Sequence, residues 1–399
     1  MREMKDSGVE WIGEIPKDWK LGKAKRFIRI TNGSNPTIEG NIPVYGSGKK
    51  PFATCGNYKS GSAVLLGRKG TIDNPTYIEG LYWNVDTVFD VKVTRDDFLI
   101  KYYYYLSTCF DYKFYMTQTA IPSMTQTNYN NIFIPFPPLS EQTAIASYLD
   151  KKCSNIDAII TKNEQIIEKL KEYKSSLISE AVTKGLNPDV KMKNSGVEWI
   201  GEMPAEWKAI KLKYVIKIEN GINPQTEGNI PVYGSGSESF KTCGEYKEGP
   251  AVLLGRKGTI NIPRYIEGKY WNVDTVFSVT TISFMLKLKF FYYVSTCFDY
   301  SFYNLQTTLP SMTQTNYNNM FIPLPPLTEQ IAIAAYLDEK CSKIDANIKK
   351  RELIIQKLAE YKKSIIYEVV TGKKEAVYRQ CFIRKIEGEI KNGNIFKSE

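Results

Sequence analysis

Histidine is absent from all 399 residues. This excludes Ser–His–Asp and Cys–His catalysis, histidine metal sites and the commonest general base near neutral pH. No run approaches the roughly 18 apolar residues that span a bilayer. The opening MREMKDSGVEWIGE mixes charges where a signal peptide would be apolar. A cytoplasmic location without membrane contact is therefore expected. None of the seven cysteines falls in a CxxC spacing, which argues against zinc ribbons and redox motifs. Isolated thiols of this kind are expected to be small buried apolar side chains.

Catalytic signatures are also missing. Gly46-Ser47-Gly48-Lys49 has the tail of a phosphate loop, but the glycine required at position 43 is Pro43. Asn74-Pro75-Thr76-Tyr77 breaks an adenine-methyltransferase motif at its second proline. Pro188-Asp189 has no Glu-x-Lys partner to build a metal-dependent nuclease site.

What is present is basic and ordinary in composition. Lysine plus arginine number 53 against 43 acids, giving +10, with 42% hydrophobic and 24% charged residues. That suits a folded protein with a polyanionic partner, because each neutralised phosphate releases counterions.

The decisive feature is self-similarity. SGVEWIGE begins at Ser7 and Ser195, GNIPVYGSG at Gly40 and Gly228, and AVLLGRKGTI at Ala63 and Ala251. WNVDTVF (Trp83, Trp271), PSMTQTNYNN (Pro122, Pro310) and PPL-Ser/Thr-EQ (Pro137, Pro325) keep the same offset of 188 without insertion. Cys55/Cys243, Cys109/Cys297 and Cys153/Cys341 are repeat partners. Only about 27 residues after Gly372 lie outside the duplication, and they are basic.

Each copy changes texture once. Its first part reads as α+β: a buried strand at Ala63–Leu66, an alternating strand from Trp83 to Val93, and an aromatic helical stretch from Phe98 to Met116. Its second part, capped at Ser140 with Glu141 in the first turn, has no proline or glycine up to Thr183. Ile156, Asn163, Leu170 and Leu177 recur every seven residues, with Ile159, Ile166 and Tyr173 between them. Ile344, Arg351, Leu358 and Ile365, with Ile354 and Tyr361, repeat the pattern. This predicts a mutual coiled coil with Asn163 as a polar register residue. The fold expected is α+β: two tandem, near-identical α/β domains separated by two long coiled-coil helical regions. The divisions are 1–139 and 187–327 for the domains, 140–186 and 328–372 for the helical spacers, and 373–399 for the tail. At 1.5 Å per residue, Ile156 to Val182 spans about 40 Å, close to one turn of DNA.

Three loops per copy could meet DNA. Tyr45, Ser47, Lys49 and Lys50 lie in the glycine loop after GNIPV, and Tyr233, Ser235 and Ser237 in its partner. Arg68 and Lys69, and likewise Arg256 and Lys257, sit between glycines, where arginine can hold guanine or phosphate by two parallel bonds. Thr125, Gln126 and Asn128, with Thr313, Gln314 and Asn316, offer side chains that can pair with adenine. Trp11 and Trp199 read as packing residues.

These motifs, in this order and twice over, resemble the specificity subunit of type I restriction-modification systems across nearly the whole chain. The resemblance rests on SGVEWIGEIPKDW and SGVEWIGEMPAEW, on LLGRKGTI, and on the closing IPFPPLSEQ and IPLPPLTEQ runs followed by YLD. It implies two target-recognition domains separated by antiparallel helices, in a non-catalytic chain that reads a bipartite site in double-stranded DNA. Such a chain docks two methyltransferase subunits and joins motor/nuclease subunits. S-adenosylmethionine, ATP and Mg²⁺ would belong to those partners, with no cofactor or metal in this chain. Near-identical domains facing opposite ways would read a near-palindromic target. Two other classes stay open: a duplicated nuclease with an unrecognised site, and a DNA-binding or scaffold repeat acting outside such a complex.

Overall fold

The computed structural model describes residues 2–116, 122–300 and 310–376, so the tail beyond Ala376 lies outside the described residues. The chain divides into two compact units, Met1–Lys162 with Ile354–Glu399, and Asn163–Leu353. The boundaries between these units fall inside the long helices, whereas the sequence divisions at 139/140 and 327/328 separate each domain from its helix.

In the first unit, one antiparallel sheet has the order Ile28–Asn32, Val88–Val93, Ala63–Gly67, Thr76–Ile78. A second sheet orders Ala53–Cys55, Ile42–Tyr45, Leu81–Asn84 and Lys59–Ser60, its middle pair parallel. The second unit repeats both sheets strand for strand. Ala63–Gly67 is buried at every position because it feeds two clusters. Val64 and Leu66 enter the main core, while Ala63 and Leu65 pack with Ile78 and Tyr82 on the other face.

The alternation from Trp83 to Val93 proves to be two strands in different sheets, Leu81–Asn84 and Val88–Val93. The break comes from Asn84. Fully buried, it donates through Nδ2 to the Val88 carbonyl (3.1 Å) and so staples a turn that a continuous strand could not make. The aromatic stretch forms the helix Ile100–Ser107 and a single turn, Tyr112–Tyr115.

The long helices are Leu139–Lys184 and Leu327–Val370. The first begins one residue before the expected Ser140 cap, and side chains of its first turn bind it to the domain. Gln142 is fully buried, accepts from the Leu99 amide (2.8 Å) and donates to the carbonyls of Asp97 and Pro137 (both 2.9 Å). Glu141 accepts from the Trp19 indole at 3.0 Å, and Glu329 from Trp207 at 2.7 Å. The SEQ and TEQ motifs thus join each helix to the opening segment of its copy.

Each unit pairs a segment of one helix with a segment of the other. In the second unit Arg351 donates to Asn163 at 3.0 Å and Lys174 meets Asp345 at 2.7 Å, so the two segments run in opposite directions. In the first unit Asp157 meets Lys362 at 2.6 Å. Asp157 and Asp345 are repeat partners, as are Lys174 and Lys362. These half-exposed pairs each contribute only about 0.2–1 kcal/mol and serve mainly to fix register. Of the expected seam, Ile156, Asn163, Ile344, Leu358 and Ile365 are buried, while Leu170, Leu177, Arg351 and Ile354 are half-buried. The intervening positions are shifted by one: Ile167 and Ala181 are buried, Ile166 is half-buried and Tyr173 is 57% exposed. A residue four places on lies about 40° round the helix from the start of the heptad, and one three places on about 60° the other way. The stripe leans toward the first of these.

Six cysteines are free thiols among the described residues. Burial pushes Cys109 up to about 12 and Cys153 and Cys297 up to about 11, which keeps them protonated and unreactive near neutral pH.

One lysine shows how the copies have diverged. Lys59 contacts Asp90 (3.0 Å), which is almost fully buried and also accepts from Tyr82 (2.9 Å). In the second unit Asp90 is replaced by Ser278, and Lys247 finds Glu219 at 3.9 Å. Glu219 replaces Thr31, and Thr31 and Asp90 are directly paired across neighbouring strands. The carboxylate has crossed one strand without leaving its lysine. Asp90→Ser alone is expected to cost about 2 kcal/mol by removing the carboxylate beside Lys59, which then keeps only its bond to Asn84 Oδ1 at 2.8 Å. Thr31→Glu added to it should recover most of that loss in denaturant unfolding, and a double variant no more stable than Asp90→Ser would refute the exchange.

Candidate nucleic-acid interface

In each unit the cationic loop hangs from one backbone carbonyl, and the other two sequence-predicted loops close on that loop. In the first unit the Thr87 carbonyl accepts from the amides of Arg68 (2.8 Å) and Lys69 (3.3 Å). Thr275 does the same for Arg256 (2.8 Å) and Lys257 (3.2 Å). The cationic loop then pairs with the third loop: Met124 donates to the Arg68 carbonyl (3.0 Å), Gly70 donates to Pro122 (3.0 Å), and Lys69 bridges Ser123. Met312, Gly258 and Lys257 repeat this against Arg256, Pro310 and Ser311. Gly70 and Gly258 have φ of +82° and +81°, which favours glycine. The first loop closes on the same point, since a Cβ on Gly70 would lie 3.6 Å from Ser47 Oγ, and one on Gly258 3.2 Å from Ser235 Oγ.

A fourth loop, Asn32–Pro36, was not anticipated. Ser34 donates to the Asn84 carbonyl (3.0 Å) and accepts from the Trp83 indole (2.8 Å). A side chain on Gly33 would overlap the Val85 carbonyl. The available signal was the pattern Asn-Gly-x-Asn-Pro, which the second copy repeats at Asn220.

The side chains divide into two groups. Lys49, Lys50, Lys69 and Lys257 are exposed. Arg68 lies 5.8 Å from the Phe89 ring centroid and donates to the Asp86 carbonyl at 3.3 Å; Arg256 does the same against Phe277 and Asp274 (3.2 Å). Each guanidinium has five donors, of which one is engaged among the described residues. Ser237, next to Glu238, is exposed where the first copy has Lys49.

The third loop has structural duties that weaken its reading as an adenine probe. Thr125 and Thr313 cap short helices, accepting from the Asn128 and Asn316 amides at 3.0 Å. Asn128 donates to the Tyr115 carbonyl. Gln126 and Gln314 make only long contacts, at 3.4 Å to the Ile30 and Ile218 carbonyls. The Tyr45 and Tyr233 rings pack on the small clusters around Tyr82 and Tyr270. Trp11 and Trp199 pack edge-on against Phe110 and Phe298, as expected.

The second unit holds its first loop differently. Arg264, where the first copy has Thr76, donates to the carbonyls of Gly234 and Gly236 and lies 5.2 Å from the Tyr233 ring. Desolvation lowers its pKa, yet it stays charged. The loop also borders a cleft of about 1250 Å³ whose far side carries Lys171, Lys174 and Lys349. Arg264→Thr should free both carbonyls. Amide exchange around Gly234–Ser237 should then speed up at least about tenfold, the scale of a charge-assisted hydrogen bond, with Gly46–Lys49 unchanged. Unchanged exchange at Gly234–Ser237 would show that the clamp does not hold the loop.

Comparison with known proteins places this geometry in a family. The Type I restriction modification DNA specificity domain matches residues 16–172 and 204–375. The MjaVIII specificity subunit of Methanocaldococcus jannaschii is 29% identical over 228 residues, covering 52% of this chain and 51% of that protein. The Escherichia coli EcoDI specificity subunit is 24% identical over 208 residues, covering 50% and 45%. The matched stretch thus spans about half the length of these relatives. Among solved structures, a chain from a study of complex assembly and conformational transition of the type I R-M system has a TM-score of 0.69 at 16% identity, covering 90% of this chain and 99% of that one. The HsdS subunit of Thermoanaerobacter tengcongensis has a TM-score of 0.50 at 15% identity, covering 92% and 100%. The tandem match over most of the sequence shows that the chain belongs to the type I restriction-modification DNA specificity family.

Proposed function

We propose that this chain is the DNA-reading subunit of a type I restriction-modification complex, with each unit reading one half of a bipartite site. The observation that carries this reading is the same cation-bearing loop platform in both units, built on Thr87 and Thr275. Arg68 and Arg256 contact base or phosphate, and Lys49, Lys50, Lys69 and Lys257 contact phosphates. The chain has no catalytic role; two methyltransferase subunits bring S-adenosylmethionine, and motor/nuclease subunits bring ATP and Mg²⁺. The paired helices act as a coiled-coil spacer, a reading supported by the opposed ion pairs Asp157–Lys362 and Lys174–Asp345. Near-identical platforms favour a nearly palindromic target.

Mapping methylated adenines in host cells with and without this chain tests the reading directly. A bipartite motif with inverted, similar halves should appear only when the chain is present. Loss of no motif on deletion would refute the function, and unrelated halves would refute the palindrome. Lys49→Ala with Lys50→Ala should lower the slope of log affinity against log salt by about 2 while preserving base preference. An unchanged slope would remove these lysines from the phosphate contacts.

A further inference from the structure

We propose that Phe52 and Phe240 are DNA-contacting residues, each presenting its ring to a base of the half-site its unit reads. The proposal rests on the DNA-reading function above and adds an apolar contact to it.

The two phenylalanines are repeat partners at the end of the first loop. They remain 66% and 60% exposed, though each unit has a well-formed core. Between Lys49 and Ala53 the copies differ at every other position: Lys49, Lys50, Pro51 and Ala53 face Ser237, Glu238, Ser239 and Lys241. Only the phenylalanine persists. A surface segment under no constraint would shed an exposed aromatic ring as readily as its neighbours.

Its placement is also the same in both units. A Cβ on Gly46 would come within 3.4 Å of the Phe52 ring, and one on Gly234 within 3.3 Å of Phe240, so each ring rests against a glycine that leaves it room. The same Gly46 and Gly234 positions lie 3.3 Å from the hydroxyls of Thr87 and Thr275, whose carbonyls hold the cationic loops. The Phe52 amide is fixed to the Val44 carbonyl at 3.1 Å. Each ring therefore sits at the edge of the platform with much of its surface uncovered. A cation accompanies it in both copies, from Lys49 and Lys50 ahead of Phe52, and from Lys241 behind Phe240 at 5.6 Å from the ring centroid. An apolar ring flanked by lysine matches a base flanked by phosphates, since phenylalanine can touch a thymine methyl or wedge against a base step.

The test uses the full chain in its host. Adenine methylation is mapped for wild type, Phe52→Ala and Phe240→Ala, and binding is measured on a duplex carrying the wild-type motif. Absence of a wild-type motif would defeat the parent reading and not this one. Given a motif, each variant should weaken binding about tenfold, the scale of an aromatic contact to one base. Each should relax base preference in one half only, with the salt slope and thermal midpoint unchanged. Equal affinity and preference in both variants would overturn the proposal. Loss of methylation with DNA binding intact would also overturn it, by assigning the rings to a protein partner.

Discussion

The pairing of helical segments from different copies is the interaction on which both compact units depend. The core of the first unit contains Ile365, Ile366, Val369 and Val370, which lie at the end of the second copy. Tyr102 of the first copy, fully buried, places its hydroxyl on the Val370 carbonyl at 3.0 Å, and Tyr367 donates to Ile12 at 3.0 Å. The core of the second unit takes Ile178, Ala181 and Val182 from the end of the first copy. Neither 188-residue copy therefore holds a complete core by itself. The repeat is a unit of sequence, and the folding unit is assembled from both repeats. A long helix that must serve two cores cannot follow a strict seven-residue stripe, which accounts for the one-position drift toward Ile167 and Ala181.

The platform follows the opposite logic. Its framework is almost wholly backbone: the carbonyls of Thr87, Arg68 and Pro122 and the amides that reach them. Backbone bonds need no particular side chain, so the first loop can exchange Lys49 and Lys50 for Ser237 and Glu238, while Arg68-Lys69 and the third loop are the same in both copies. The fixed side chains lie beneath, where Asn84 and Asn272 staple the central turns.

Much of this was legible in the sequence, and for identifiable reasons. The duplication, the buried strand Ala63–Gly67 and the long helices follow from periodicity, which reports burial. The three loops were found because glycine and cations cluster there. The turn at Asp86–Thr87 was missed because the alternation of Val85, Thr87 and Phe89 satisfies a strand as well as a turn. What breaks it is a buried asparagine, whose effect depends on a hydrogen bond that no periodicity records. Thr125, accepting from the Asn128 amide, also caps the short helix that follows, because residues suited to reading adenine are suited to capping a helix as well. Arg264 was invisible because its partners are backbone carbonyls 28 and 30 residues away.

The differences between the copies are of two kinds, one beneath the surface and one at the first loop. Beneath the surface, change is compensated across one strand pair: Thr31 and Asp90 become Glu219 and Ser278, and the lysine keeps a carboxylate. At the first loop, change is not compensated in kind. Lys49 and Lys50 give way to Ser237 and Glu238 and Ala53 to Lys241, which removes the local positive charge, while Arg264 arrives to hold the backbone that the new residues decorate. The loop's position has been preserved and its electrostatics have not. If that loop only closed a hairpin, its charge would be free to drift, but no clamp would be needed to keep its place. A held position with altered charge shows that the backbone geometry of this loop is constrained where its electrostatics are not.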